Sequence, residues 1–194
     1  GIRTDRMIKA SLNYEEIDKL LNTPCRHDVL RRASIFALLT GLRKGDILAL
    51  DWKDYDKDFN GKPMFRIVTK KTGAVSHHPV SKEAMEVCGP VGDGLIFKGL
   101  TSSMTTYDFK IWVEEAGINK PVSFHTLRHT YATLLHENGN SLSTIQNSRI
   151  HFHPGTTAKY ICNSDALARK AVDNLHLQPS RVKRILSKVK KFFK

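Results

Sequence analysis

Apolar positions in the first 50 residues recur with the spacing of helix faces that pack against a core. Asn13, followed three residues later by Glu16, is a helix-capping pattern. Gly41 follows a largely apolar run and is a typical helix stop, which places Arg43 at a junction between two helices. The predicted helices cover residues 12–21, 28–40 and 44–50.

Between residues 51 and 80 the pattern changes to short runs of β-forming residues separated by turn residues. Met64 to Val68 and Ala74 to Val80 are predicted strands. Asn60-Gly61 and the segment Lys70 to Gly73 are predicted turns, because Asn-Gly and Thr-Gly between such runs are hairpin signals. This is the only β-rich region, so it predicts one small antiparallel sheet.

The remainder of the chain has helical spacing, apart from a loop over residues 89–94. The fold class is therefore predicted to be mainly α with a small antiparallel β-sheet (α+β). Residues 1–176 are expected to form one domain and residues 177–194 a separate tail. The predicted helices cover residues 81–87, 104–116, 126–137, 142–147, 156–162 and 165–174.

The tail, residues 177–194, combines an apolar stripe with strong positive charge. Its apolar residues are Val182, Ile185, Leu186, Val189, Phe192 and Phe193, which lie on one face of a helix. Such a stripe requires a partner surface, and docking on this protein or on a second copy is favoured over a membrane.

Composition narrows the choice of partners and compartment. The net charge of +12 favours a polyanionic partner, but seven of the cations lie in residues 181–194, so the rest of the chain carries 12 − 7 = +5. Three widely spaced cysteines, Cys25, Cys88 and Cys162, form no disulfide framework and fit a reducing cytoplasm. No apolar run in the sequence has membrane-spanning length.

The candidate chemistry centres on His125, Arg128 and Tyr160. His125 and Arg128 are three residues apart on one predicted helix face, where together they can hold a phosphate. A tyrosine about 30 residues later can act as a nucleophile. Together they suggest cleavage of a nucleic-acid backbone through a phosphotyrosine bond. Taken alone, the His/Arg pair could equally be a solvated helix face, and Tyr131 is a competing nucleophile.

Two sequence boxes decide between these interpretations. TGLRKGD occupies residues 40–46, and FHTLRHT occupies residues 124–130. With Tyr160, they resemble the catalytic domain of the tyrosine recombinases, the phage-integrase family, over about residues 12–174. The resemblance implies a site-specific recombinase or integrase that cleaves and rejoins DNA through a 3′-phosphotyrosine intermediate, with no metal, ATP or other cofactor.

The resemblance also implies a set of catalytic residues. The arginines stabilise charge on the phosphate, His125 is the candidate base, and a lysine of the β-hairpin protonates the departing 5′-oxygen. Lys71 is favoured over Lys70 for that role, and His153 is a rival to the second histidine. The catalytic set is Arg43, Lys71, His125, Arg128, His151 and Tyr160.

The chain departs from the family pattern in three places. Asp46 stands where the family often has Glu, and residues 147–150 replace the usual segment before His151. The family's N-terminal core-binding domain is expected to be absent, so this chain alone should bind DNA weakly.

The resemblance implies double-stranded DNA recombination sites as the partner, with self-association on DNA as a tetrameric synapse. The expected location is the prokaryotic cytoplasm at the nucleoid, with no membrane partner. Three alternatives remain: a DNA-binding module without chemistry, a type IB topoisomerase-like relaxing enzyme, and a metal-dependent nuclease. For the last, His77-His78 and His151-Phe-His153 lack a convincing third and fourth ligand.

Overall fold

A computed structural model of the chain describes residues 11–68, 73, 75–138, 169 and 172–173. Helices make up most of this part. In chain order the α-helices are α1 (Tyr14–Asn22), α2 (Asp28–Thr40), α3 (Lys44–Ala49), α4 (Lys82–Cys88), α5 (Phe109–Glu115) and α6 (Phe124–Glu137). The strands are β1 (Tyr55–Lys57), β2 (Pro63–Val68) and β3 (Val75–Pro79), with a 3-10 turn at Trp52–Asp54 and a π-helical turn at Met104–Asp108.

The first helix begins at the predicted cap. The Asn13 side chain accepts the Glu16 N–H at 2.9 Å, and the Glu16 carboxylate accepts the Asn13 N–H at 2.8 Å. Both bonds pair amides near a helix start, where intrahelical acceptors are missing. Just before the cap, the Leu12 N–H donates to the Thr130 hydroxyl at 2.9 Å. The start of α1 is therefore attached to the middle of α6.

Helix α2 lies within the hydrophobic core and packs against α4 and α6. Its residues from Ala33 to Thr40 are all buried, as its apolar composition predicts. Arg32 on this helix donates to the carbonyl oxygens of Val87 at 3.0 Å and Cys88 at 2.8 Å. The side chain thus satisfies carbonyls at the end of α4, where helices leave acceptors unpaired.

The three strands form one antiparallel sheet in the order β1-β2-β3. Along β2, Phe65 and Ile67 are buried while Arg66 and Val68 are exposed, which is the alternation expected of a strand with one face on a core. The Phe65 ring meets the Phe36 ring of α2 with centroids 6.1 Å apart. The sheet therefore packs by one face on the helical core.

Arg169 is held against the sheet by hydrogen bonds and an ion pair. Its guanidinium donates to the carbonyl oxygens of Pro63 at 2.8 Å and Val80 at 2.9 Å, and it lies 3.2 Å from the Asp58 carboxylate. Burial by itself raises the pKa of Asp58, but backbone N–H donors and the Arg169 charge outweigh it, so the pKa is lowered. Val172 is also buried. Arg169, nine residues after the predicted nucleophile, therefore contacts the sheet where β2 begins and β3 ends.

The predicted fold class is confirmed, and most predicted elements of the described part are observed. Helix α2 has the predicted bounds. Helix α6 begins at Phe124 rather than at residue 126, because the Thr126 hydroxyl accepts the Ser123 N–H at 3.0 Å and caps an earlier turn. The helix predicted over residues 104–116 begins with a π-helical turn, which its spacing did not indicate.

Several predictions lie outside the described residues. They are the helices over 142–147 and 156–162, the turn residues 70–72, the tail and the domain limit at 176. Of the helix predicted over 165–174, residues 169, 172 and 173 are described and are helical. None of the described helices is long and apolar enough to cross a membrane.

Candidate active site

The turn between α2 and α3 can only be built with glycine. Gly41 has φ +64°, a left-handed conformation that side chains disfavour, and its N–H donates to the Ala37 carbonyl at 2.9 Å. The Tyr131 ring of α6 covers it so closely that a Cβ on Gly41 would lie 2.2 Å from Cδ1 of the ring. Predicted only as a helix stop, Gly41 is therefore also the point where α6 meets the junction.

Arg43 leaves this turn as the N-cap residue of α3. Its carbonyl oxygen accepts the N–H groups of Asp46 and Ile47, both at 3.0 Å, so its backbone is fixed by the start of the helix. Its side chain is exposed. Arg43 therefore places a cation on the surface at the start of α3.

Arg128 is held in the opposite manner. It is only 7% exposed, and its Nη1 donates to the carbonyl oxygen of Gly41. Since buried arginines are normally paired, this contact explains how α6 can carry one inside the molecule. The bond joins α6 to a carbonyl two residues before Arg43. The structure therefore brings the two predicted arginines to one junction.

His125 lies in the first turn of α6 and is exposed. Its ring meets the His129 ring edge to face, with centroids 4.8 Å apart and planes at 83°. A helix N-terminus carries partial positive charge, so this end of α6 is favourable for an anion. His125 and Arg128 lie one turn apart on this helix, as their spacing predicts.

Tyr131, the competing nucleophile, is a packing residue. Its side chain is completely buried, with its ring on Gly41. A nucleophile must reach the phosphorus atom, and a ring enclosed in the core cannot do so. The interpretation of Tyr131 as a core residue is confirmed.

Cysteine does not supply an alternative nucleophile in the described part. Burial raises the pKa of the Cys88 thiol to about 12, so it stays protonated at neutral pH. Burial also raises the pKa of Cys25.

The adjacent histidines of β3 point to opposite faces, as predicted for a strand. His77 is exposed, and His78 is buried with its Nε2 2.9 Å from the carbonyl oxygen of Thr40. Among the described residues no group of His, Cys, Asp and Glu side chains is arranged to hold a metal ion. The sequence did not indicate the contact between His78 and Thr40, because the two residues are 38 positions apart.

The other predicted site residues lie outside the described residues. They are Lys70, Lys71, His151, His153 and Tyr160. Their roles stay predictions. The described part contributes Arg43, His125 and Arg128, together with Gly41 and Tyr131, which hold the junction.

A family model for the phage integrase family matches residues 10–166. The chain belongs to this family. Every site residue named above lies inside the matched segment, so the phage integrase relationship covers both the described junction and the predicted nucleophile.

Two tyrosine recombinases illustrate the relationship. XerC of Syntrophus aciditrophicus is 29% identical over 196 aligned positions, which cover 90% of this chain and 63% of the relative. XerD of Halalkalibacterium halodurans is 29% identical over 177 positions, which cover 81% of this chain and 58% of the relative. This chain thus spans less than two thirds of each relative.

Solved structures of integrases share the fold. The integrase from mycobacterium phage Brujita superposes with a TM-score of 0.70 at 21% identity, over 95% of this chain and 64% of that one. The XerH site-specific recombinase, in a post-cleavage complex with a palindromic difH substrate, gives a TM-score of 0.60 at 22% identity, over 84% and 52%.

Proposed function

We propose that this chain is the catalytic domain of a site-specific DNA recombinase that cleaves and rejoins DNA through a 3′-phosphotyrosine bond. The observation that carries the proposal is the junction itself. Arg128 is anchored on the Gly41 carbonyl two residues from the exposed Arg43, and His125 lies one helical turn before Arg128. Membership of the phage integrase family supports the assignment.

The arginines are assigned to the charge that develops on the phosphate. As tyrosine attacks, negative charge builds on the non-bridging oxygens, and guanidinium donors aimed at them stabilise the transition state. The contact of Nη1 with the Gly41 carbonyl holds the Arg128 guanidinium at the junction. Arg128 is therefore assigned as the fixed donor. Arg43, exposed at the start of α3, reaches the same phosphate from the surface.

The covalent step is a transfer of the phosphoryl group to tyrosine. The Tyr160 oxygen forms a bond to phosphorus while the bond from phosphorus to the 5′-oxygen breaks. The tyrosine proton passes to His125, and Lys71 gives a proton to the departing 5′-oxygen. His151 donates to a phosphate oxygen. The reverse attack by a 5′-hydroxyl rejoins the strand, so no external energy source is required.

Double-stranded DNA is the proposed substrate. The XerH relative is described in complexes with difH DNA before and after cleavage, and lambda integrase as a dimer on a core site. The net charge of +12 is favourable for such a partner. Exchange between two DNA sites needs several active sites at once, so we propose assembly into a tetramer on paired sites.

No observation favours an alternative function. A decayed DNA-binding module would be expected to have lost Tyr160 or one of the arginines, and all are present. Topoisomerase-like relaxation uses the same covalent step. Relaxation of supercoiled DNA that lacks a recombination site would indicate a topoisomerase rather than a strand-exchange enzyme.

A nicked suicide DNA substrate tests the proposal directly. Because the nick lies close to the cleavage site, the short fragment that carries the 5′-hydroxyl diffuses away after cleavage and cannot rejoin. The covalent protein–DNA adduct therefore accumulates and is visible on a denaturing gel. We expect adduct with the unmodified chain and none with Tyr160→Phe, which loses only one hydroxyl and should still bind DNA. The assay is run in excess EDTA, so an adduct there also argues against a metal-dependent nuclease.

Tyr131→Phe is the matched control, since it makes the same chemical change at a buried ring. It should form adduct close to the normal level. Loss of the adduct in Tyr131→Phe together with its survival in Tyr160→Phe would exclude Tyr160 as the nucleophile. Absence of adduct from the unmodified chain on a substrate that it binds would contradict the enzyme assignment.

A further inference from the structure

Two consecutive carbonyl groups at the α2–α3 junction each receive a side chain from a different part of the fold. The Thr40 carbonyl oxygen lies 2.9 Å from Nε2 of His78 on β3. The Gly41 carbonyl accepts Nη1 of Arg128 on α6. The sheet and the helix of Arg128 are thus attached to adjacent peptide groups, three and two residues before Arg43.

The hydrogen bond of His78 can have only one direction. A carbonyl oxygen accepts and cannot donate, so Nε2 must carry the proton. The His78 side chain is buried, and its strand position pairs with Phe65 of β2. His78 is therefore not placed to contact a substrate that binds from solvent. Its ring connects the hairpin to the α2–α3 junction.

The hairpin that His78 attaches carries the candidate general acid. Strands β2 and β3 pair as far as Val68 and Val75, and the six residues between them include Lys70 and Lys71. His78 is three residues from Val75, which is about 10 Å along a strand. The β2–β3 ladder runs without a break from His78 to Val75, so it links His78 to the start of that connection.

We propose that His78 is a positioning residue that fixes the lysine-bearing hairpin relative to Arg43 and Arg128. The proposal rests on the proposed function, because it assigns His78 to the protonation of the 5′-oxygen by Lys71. Without the contact to Thr40, the hairpin would keep its pairing but lose its register against the junction. The lysine would then meet the departing oxygen less often, while the arginines would keep their places.

The test separates protonation from all other steps. In a 5′-bridging phosphorothiolate substrate, sulfur replaces the departing oxygen, and the thiolate leaves without a proton. Cleavage rates on the oxygen and sulfur suicide substrates are measured for each variant under saturating protein. The ratio of the two rates from one preparation does not depend on the folded fraction, so a partly unfolded variant still gives a result.

We expect His78→Phe, which keeps an aromatic ring but has no donor, to slow cleavage of the oxygen substrate about 10- to 100-fold. The sulfur substrate should be cleaved within about threefold of the normal rate. Lys71→Ala should give the same pattern more strongly. His78→Gln, whose amide can donate from a similar reach, should recover much of the rate on oxygen.

His77→Phe is the matched control, because His77 is the exposed neighbour on the same strand. It should leave both rates unchanged. If His78→Phe yields too little folded protein, the same ratio is measured for His78→Val.

Equal slowing on both substrates would overturn the proposal, since it would mean that His78 supports the fold or the arginines rather than the acid. Unchanged rates on both substrates would also overturn it. A normal chain that gives no adduct on either substrate contradicts the proposed function itself, which distinguishes the two failures.

Discussion

Arg43 and Arg128 are held differently, so their substitution should have different consequences. Arg43→Lys and Arg128→Lys should each reduce the cleavage rate by about 10²- to 10³-fold, because lysine cannot reproduce a two-pronged contact with phosphate. Only Arg128→Lys should also lower thermal stability, since Arg128 is buried on the Gly41 carbonyl while Arg43 is exposed. Suicide-substrate kinetics and thermal unfolding measure the two effects. If either variant cleaves DNA at close to the normal rate, that arginine supports the structure and does not act on the phosphate.

Gly41 should be the most sensitive glycine of the junction. Gly41→Ala places a methyl group on a left-handed residue and against the Tyr131 ring, and should destabilise the protein by about 2 kcal/mol or more. The matched variant is Gly45→Ala inside α3, where a Cβ meets nothing within 4 Å. It should stabilise by about 0.5–1 kcal/mol, because alanine favours a helix over glycine. Urea unfolding of both variants at equal pH gives the comparison, and similar values for the two would contradict the packing of Tyr131 on Gly41.

At the scale of elements, Lys120 fastens the start of α1 to the loop before α6. Its Nζ lies 2.6 Å from the Glu16 carboxylate and 2.6 Å from the Ser11 carbonyl oxygen. Burial by itself raises the pKa of Glu16. Hydrogen bonds from Lys120 and the Asn13 N–H, together with the Lys120 charge, outweigh burial, so the pKa lies below its ordinary 4.5. A carboxylate of lowered pKa stabilises the fold above its unfolded pKa, and this contribution is lost as pH falls through the folded pKa.

Lys120→Met should therefore destabilise the protein by about 1 kcal/mol or less at pH 7, with solvent screening of a partly exposed pair taken into account. The difference in the free energy of unfolding between this variant and the unmodified chain should shrink as the pH falls below about 4.5. Urea unfolding at several pH values measures it. Lys110→Met is the control, because the Lys110–Glu114 pair is 72% and 63% exposed and should contribute almost nothing. A difference for Lys120→Met that is constant down to pH 3 would mean that the Glu16 charge is not involved.

At the scale of the whole molecule, the basic tail is predicted to govern assembly. The apolar stripe from Val182 to Phe193 needs a protein groove, and the seven cations of residues 181–194 prevent its complete burial. We predict that the tail docks on its own protein in the free state and on a neighbour in the assembled synapse, as an exchangeable element allows.

Deletion of residues 181–194 should weaken assembly on paired DNA sites far more than binding to one site. A shallower salt dependence of single-site binding is also expected, because cations near the DNA backbone are removed. Gel-shift titrations at several salt concentrations, with one and two sites, measure both effects. Equal losses in both would mean that the tail is only a basic DNA-binding arm.

The sequence by itself determined the local structure and the identity of most candidate residues. The helix from Asp28 to Thr40 and its stop at Gly41 could be predicted, since an apolar run and a left-handed glycine act within a few residues. The capping box of Asn13 and Glu16 is equally local. The spacing of His125 and Arg128 indicated one helix face, because a helical turn fixes that relation wherever the helix lies.

Only the tertiary structure decided which of these side chains are buried and which backbone carbonyl groups they bind. The Arg128 guanidinium binds a carbonyl 87 positions away, and the His78 ring one 38 positions away. Such contacts depend on how α2, α6 and the sheet pack, and no periodicity of a single segment contains that information. The burial of Tyr131 on Gly41 likewise required two helices in contact. The sequence therefore named the arginines, and packing placed one inside the molecule and one on its surface.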